Sequence, residues 1–398
     1  MLKKIRRLMT EAAVVSSLMI PVTVKAEMPE SDPALTQDLT SDYAIVLDSD
    51  TGQILSEKNA DEKMYPASMT KMMTALVAIE QITDPNETVT ITSEMLKGLT
   101  EANASVAGFM AGDAPTMLDL LYGVALPSGA DASNAFAFHF EGSVEAYVEK
   151  MNQKAREIGM ENTHFANTTG LHREDHYSTV RDMAKLLKYC LGHETFRTIF
   201  SQAEYTSTPL ASHPAGLKMS STVFSAAAKG NYSMPGFIGG KTGYTGPAGH
   251  CLAYWAWLND MNLIIVTAHA ATGMYVPSHI KDASVLLTKL NEWEKRTLLK
   301  EGDIAAEITV KHAKKEEKIT IDVKDTLIVD LPKSSVTEFV QTFPQEIRSD
   351  VEDQDLSGTI AVTMDGNVIY QRDLMVVVPR EPSFFSRLWM RIKKLFGF

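Results

Sequence analysis

The stretch Pro66-Ala67-Ser68-Met69-Thr70-Lys71 runs without a break into MMTALVAIEQI (72–82), so a serine and a lysine stand three residues apart where an apolar helical pattern begins. A serine hydroxyl is a poor nucleophile at neutral pH and needs a neighbouring base. In the first turn of a helix, residues i and i+3 share a face, so the Lys71 amine can reach the Ser68 hydroxyl. A helix N-terminus and a dry surrounding both disfavour an ammonium ion, which pushes a lysine toward the neutral amine that a general base must be. Pro66 fixes the entry of the chain into the helix. On its own the spacing says little, since a serine three before a lysine arises about once or twice by chance in a chain of this length. Ser278 and Lys281, in PSHIKDAS, are a second instance with no partner motif after them.

Two motifs downstream of Ser68 are more discriminating. Ser128-Gly129 stands in LLYGVALPSGADASNA at the end of an apolar helix, and Lys241-Thr242-Gly243 stands on an expected strand preceded by Gly239 and Gly240. A Lys-Thr-Gly triplet is expected only about 0.1 times by chance in such a chain. The three elements together are the set known from penicillin-binding proteins and class A β-lactamases.

The flanking chain supplies the scaffold. Residues 43–58, YAIVLDSDTGQILSEK, alternate apolar and polar side chains around a turn and read as a β-hairpin. TMLDLLYGVAL, VEAYVEKMNQKAREIGM and TVRDMAKLLKYCLG carry apolar residues three and four apart and read as helices. FIGGKTGY, HCLAYWAWL and NLIIVTAHA read as an antiparallel meander, and ASVLLTKLNEWEKRTLL as a closing helix. Strands at both ends with helices between predict one sheet covered by helices, in an α/β or α+β arrangement. From about residue 299 to 380 short strands with turns such as Asp365-Gly366 predict a separate small all-β domain.

From about residue 40 to the C-terminus the chain resembles the low-molecular-mass D-alanyl-D-alanine carboxypeptidases. DSDTGQILSEKNADEKMYPASMTK, NTTGLHREDHYST and IGGKTGYTGPAGHCL carry the resemblance. It implies an acyltransferase domain over residues 27–298 with a β-lactamase/transpeptidase-like sheet. It also implies a serine-type enzyme, with no cofactor and no metal, that removes the terminal D-alanine from peptidoglycan stem pentapeptides through an acyl-enzyme. β-Lactams would acylate it as covalent inhibitors. By the same resemblance Ser68 is the nucleophile, Lys71 the base and Ser128 a proton relay. Lys241 would supply positive potential and help hold Lys71 neutral, Thr242 a hydroxyl, and Gly243 a strand edge against which substrate lies. The N–H groups of Ser68 and Tyr244 would form the oxyanion hole.

Two positions depart from the family pattern. The middle motif, usually Ser-x-Asn, has Ala130 at its third position, with Asn134 one helical turn on. Where the family carries an arginine for the substrate carboxylate, PSHIKDA offers His279 or Lys281. Ala130 leaves open a catalytically weakened wall-binding protein, and a β-lactamase is a further alternative. Against the latter, no Glu-x-x-Leu-Asn lies between Ser128 and Lys241. His172 and His176, four apart in GLHREDHYST, have no glutamate in the order a metal helix needs and read as a cleft wall. The Tyr254, Trp255, Trp257 stretch reads as a strand with one face in the core.

Residues 1–26 have a basic start, an apolar run from Ala12 to Val24 and small residues before position 27, the pattern of a secretory signal peptide cleaved after Ala26. Removing its five cations and one anion takes the formal charge from −12 to −16, which argues against nucleic-acid partners. Cys190 and Cys251, the only cysteines, lie in apolar stretches and read as buried thiols. On a helix, Phe384, Phe385, Leu388, Trp389, Ile392, Leu395 and Phe396 of the tail (381–398) fall within about 140°, with Arg387, Arg391, Lys393 and Lys394 outside that arc. The expectation is an amphipathic helix lying on a membrane surface, and hence an exported, peripheral protein at the outer face of the cytoplasmic membrane.

Overall fold

The alternation in residues 43–58 folds into two antiparallel strands, β1 (Ser41–Asp48) and β2 (Ile54–Lys58). At the turn the buried Asp48 carboxylate accepts from Asp50 N and Thr51 N, both at 2.8 Å, and from Asn262 N at 2.9 Å, tying the hairpin to the strand beside it. The structure is a computed structural model and describes residues 14–16, 19–26, 29, 31–271, 277–311, 316–348 and 356–376. Two compact units divide the chain: Glu30–Lys295, and Met1–Pro29 together with Arg296–Phe398.

In the first unit the meander forms β3 (Phe237–Thr245), β4 (Gly249–Leu258) and β5 (Met261–Ala270). The sheet order is β2-β1-β5-β4-β3, and every neighbouring pair is antiparallel. The N-terminal hairpin thus joins a C-terminal meander through the Ile45↔Val266 register, and the unit is α+β. β4 and β5 are apolar on both faces because helices cover both. On one face lie α1 (Lys71–Ile79), α2 (Met117–Ala125), α3 (Ala130–Glu141), α4 (Val144–Glu157) and α5 (Val180–Cys190). On the other lie α6 (Thr222–Gly230) and α7 (Ser278–Leu290). Helix α1 is buried from Lys71 through Ala78, and apart from Lys71 and Thr74 its residues are apolar all round, as a helix buried in a protein interior requires. The motif at its N-terminus is therefore held by the core itself.

One expectation needs correcting. ASVLLTKLNEWEKRTLL is not a single helix: α7 ends at Leu290 and Trp293–Leu299 is a strand. The Asn259 amide donates to Asn291 O at 3.0 Å and Trp293 O at 2.7 Å, satisfying carbonyls that a continuing helix would have used. Both cysteines are free and buried.

The second unit is built of strands around its own core of Ile308, Val310, Ile319, Ile321, Val329 and Leu331. The Asp365-Gly366 turn joins Leu356–Met364 to Asn367–Val376, with φ of +49° and +85° suited to a two-residue hairpin. Of the expected leader, Val14–Ser16 and Met19–Ala26 are strands, and the second pairs antiparallel with Asn367–Val376. The remainder of that segment, and the whole expected tail helix 381–398, lie outside the described residues. Among the described residues no helix is long and apolar enough to cross a membrane.

Candidate active site

Ala67–Thr70 close as a 3-10 turn that runs directly into α1. Residues three apart eclipse in such a turn, and Lys71 Nζ lies 3.1 Å from Ser68 Oγ. Ala67 has φ +45°, a left-handed conformation that alanine disfavours, and backbone of this kind concentrates at functional sites. Two glycines pack against the turn. A Cβ at Gly170, itself at φ +80°, would meet Ala67 O at 1.9 Å, and one at Gly243 would meet Pro66 O at 2.9 Å and Ser68 N at 3.1 Å. Any side chain at either position would push a backbone off the serine.

Behind the pair runs Asn167-Thr168-Thr169-Gly170. The Asn167 side chain accepts from Thr169 N at 3.1 Å and Gly170 N at 2.7 Å, fixing the loop so that Thr169 O accepts from Lys71 Nζ at 2.6 Å. Lys71 is 2% exposed. Burial lowers its pKa to about 7, against the opposing pull of the Asp131 carboxylate.

A second pair faces the first. Ser128, at φ +65° between α2 and α3, accepts from Lys241 Nζ at 2.8 Å. Lys241 also donates to Thr242 O at 3.1 Å. It is buried, and burial first and the charge of Lys71 second drive its pKa well below the ordinary lysine value. Of the causes acting on Lys71, burial is the largest. Ser68, Ser128, Thr242, Gly243 and Tyr244 line one cleft of about 380 Å³. Thr242 Oγ1 sits 2.7 Å from Thr222 Oγ1 at the start of α6, and Tyr244 is 55% exposed at the rim.

Several sequence candidates lie elsewhere. Ala130 is buried as the first residue of α3, its N–H donating to Ser105 O at 2.8 Å, and it does not line the cleft. Asn134 does not reach the cleft either: its amide donates to Met95 O at 3.0 Å and its oxygen accepts from Thr168 Oγ1 at 2.9 Å. Lys281 is exposed, whereas His279 lines the cleft. His176 commits both ring nitrogens within the protein: Nε2 to Thr70 Oγ1 at 2.7 Å and Nδ1, as acceptor, to Ala166 N at 3.0 Å. Burial lowers its pKa to about 3, so it stays neutral and buttresses the motif through Thr70. His172 pairs instead with Glu174 at 3.4 Å. Tyr254 is fully buried while Trp257 is 48% exposed.

Asn103 and Ser105 also line the cleft, and sequence reasoning missed them. Their loop is clamped by the buried Asp131 carboxylate, which accepts from Ala107 N at 2.8 Å, Gly108 N at 2.9 Å and Phe109 N at 3.0 Å. No local pattern marks such a long-range clamp.

The chain is similar to known proteins. A family model described as D-alanyl-D-alanine carboxypeptidase matches residues 26–272. The D-alanyl-D-alanine carboxypeptidase DacF of Bacillus subtilis (strain 168) is 29% identical over 334 residues, covering 82% of each chain. The crystal structure of penicillin binding protein 5 from Haemophilus influenzae superposes with a TM-score of 0.61 at 25% identity, over 88% of this chain and 98% of that one. A Streptomyces DD-transpeptidase structure has a TM-score of 0.57 at 29% identity, over 63% of this chain and 96% of its own.

Proposed function

The chain belongs to the D-alanyl-D-alanine carboxypeptidase family of serine peptidases, and from that premise we propose that it cleaves the terminal D-Ala–D-Ala bond of peptidoglycan stem pentapeptides at Ser68. The observation that carries the proposal is the Ser68–Lys71 pair: 3.1 Å apart, with the lysine buried and its pKa lowered to about 7. A neutral Lys71 donates one N–H to Thr169 O and accepts the Ser68 proton on its lone pair. Ser68 Oγ then bonds to the substrate carbonyl carbon, and the oxyanion is met by the N–H groups of Ser68 and Tyr244. The C–N bond breaks, and free D-alanine leaves with a proton relayed through Ser128, which Lys241 orients at 2.8 Å. Water attacks the acyl-enzyme, returning a proton to Ser68 and releasing the shortened peptide. A β-lactam offers a strained amide to the same oxygen and acylates it as the ring C–N bond opens.

Purified enzyme should release one D-alanine per pentapeptide, insensitively to EDTA, and Ser68→Ala should abolish release. Loss on EDTA treatment with activity kept in Ser68→Ala would refute the assignment.

The proposal includes a mature chain starting at residue 27, with the acyltransferase domain over 27–298, the β-domain over 299–380 and membrane-surface attachment through 381–398. Cleavage after Ala26 and pairing of Met19–Ala26 with Asn367–Val376 exclude each other, so the N-terminal mass of exported protein decides between them. Full-length protein should float with anionic vesicles at low salt, and a chain truncated after Glu381 should not.

A further inference from the structure

The segment GLHREDHYST (170–179) closes the loop behind the Ser68–Lys71 turn, and no step of the proposed chemistry uses its side chains. Its His176 is buried and does not line the cleft, yet its hydrogen bonds fix a single form of the ring. Ala166 N–H can only donate, so His176 Nδ1 accepts from it with its lone pair, at 3.0 Å. The neutral ring then carries its proton on Nε2 and donates it to Thr70 Oγ1 at 2.7 Å. Burial lowers the pKa of the ring to about 3, so this tautomer persists at every pH at which Lys71 is neutral.

The two bonds join pieces of chain that both converge on Lys71. Thr70 is the last residue of the 3-10 turn Ala67–Thr70 and stands directly before Lys71. Ala166 opens the stretch whose Thr169 O accepts from Lys71 Nζ at 2.6 Å. Thr70, His176, the backbone from Ala166 to Thr169, and Lys71 therefore close a circuit around the base. One helical turn further along α1, Thr74 Oγ1 donates to Thr168 O at 2.7 Å and pins the same stretch a second time. The turn itself needs holding, because 3-10 hydrogen bonds are poorly aligned and Ala67, at φ +45°, is strained. The histidine is held in its turn: Phe165 packs against the ring at 5.8 Å and 64°, and Phe165 N and O are both bonded to the Asn152 side chain at 2.8 Å. His172, four residues earlier, is exposed, pairs with Glu174 and has no place in this circuit.

We propose that His176 is a positioning residue for acyl transfer: as the Nε2–H tautomer it bolts the turn that carries Ser68 and Lys71 to the loop whose Thr169 carbonyl holds the base, and so sets the contact between Lys71 Nζ and Ser68 Oγ. The inference rests on the proposed function, because it assigns a support to the same reacting pair. His176 touches no reacting atom and acts through Thr70 on one side and Ala166 on the other. Without it the turn and the loop can shift against each other, and a misplacement of about 1 Å at a reacting pair can cost about 10²-fold in rate. Substrate binding is spared, because neither His176 nor Thr70 lines the cleft.

The test counts working sites before it measures their speed. Full-length wild type, His176→Phe, Thr70→Val and the double variant are treated at length with penicillin, and mass spectrometry of the Ser68 adduct gives the concentration of folded, competent sites in each. Release of D-alanine from the pentapeptide is then followed well below the unfolding midpoint, and kcat is expressed per competent site. A histidine that only stabilises the fold would lower the count and leave kcat per site alone. His176→Phe and Thr70→Val should each lower kcat per site by about 10- to 100-fold with KM within about twofold. The double variant should lose no more than the slower single one, since both changes open one circuit. His176→Gln, whose amide can donate to Thr70 as Nε2 does, should recover most of the loss. Thr70→Val keeps the size of its side chain and carries the test alone if His176→Phe does not fold. Unchanged kcat per site in the single variants, a loss carried by KM, or losses that multiply in the double variant overturn the proposal. A wild type with neither adduct nor D-alanine release sinks the reading of Ser68, and this inference with it.

Discussion

Two serine–lysine pairs face each other across the cleft, and they are assembled by different routes. Ser68 and Lys71 are three residues apart, and a single turn sets their 3.1 Å contact. Ser128 and Lys241 are 113 residues apart, and their 2.8 Å contact exists only because a helix–helix connection and an edge strand of the sheet are both correctly placed. The environments differ as well. Lys71 is buried but lies within the field of the Asp131 carboxylate, and its pKa settles at about 7. Lys241 is buried, with the charge of Lys71 acting against its ammonium form as well, and its pKa lies well below the ordinary lysine value. A local pair with a partial counter-charge suits a base that must exchange its proton at neutral pH. A non-local pair held in place by two separate elements suits orientation and relay.

Breaking the two pairs should therefore have unequal consequences. Ser68→Ala removes the atom that bonds to substrate and should lower kcat/KM by more than about 10⁴-fold, with no penicillin adduct. Lys71→Gln keeps Ser68 but removes its base, and acylation should slow by about 10²- to 10⁴-fold. Ser128→Ala, on the other pair, should slow turnover by about 10²-fold while still allowing an adduct on Ser68, as stopped-flow acylation would show. Equal losses in Ser68→Ala and Ser128→Ala would erase the distinction between the two pairs.

The pH dependence sharpens it further. Only neutral Lys71 accepts the serine proton, so kcat/KM for a neutral substrate should rise with pH through about 7 and level above it. An unperturbed lysine would place that limb near 10.5. Asp131 favours the ammonium form, so Asp131→Asn should move the limb to lower pH. A limb that stays in place would mean that the carboxylate acts on the loop it clamps and not on the base. The smallest effect is expected behind the second pair, on β4. The Tyr254 hydroxyl is buried without a partner, and Tyr254→Phe should leave activity intact and stabilise the fold by about 1 kcal/mol in denaturant titration.

The same contrast explains what was legible in the sequence. Elements with a local cause were readable: the alternating hairpin at 43–58, the apolar helix after Lys71, the meander, and the three motifs whose residue types are fixed by chemistry. What depended on distant partners was not. Asn134 has the amide expected of the middle motif but spends it on Met95 and Thr168, and the cleft receives Asn103 and Ser105 from a loop held by Asp131. The end of α7 at Leu290 follows from capture by Asn259, some thirty residues upstream, and no propensity in NEWEKRTLL announces it. Between His279 and Lys281 the sequence offered no choice, because only burial distinguishes the ring in the cleft from the amine in water.

The most direct test of the account is to map the covalent adduct. After brief treatment of the full-length protein with penicillin, digestion and mass spectrometry should place a single acyl group on Ser68, in Ser128→Ala as well as in the unaltered chain. An adduct on Ser128 or on Ser278, or no adduct in a protein that still releases D-alanine, would contradict the assignment of Ser68 and Lys71 as the reacting pair.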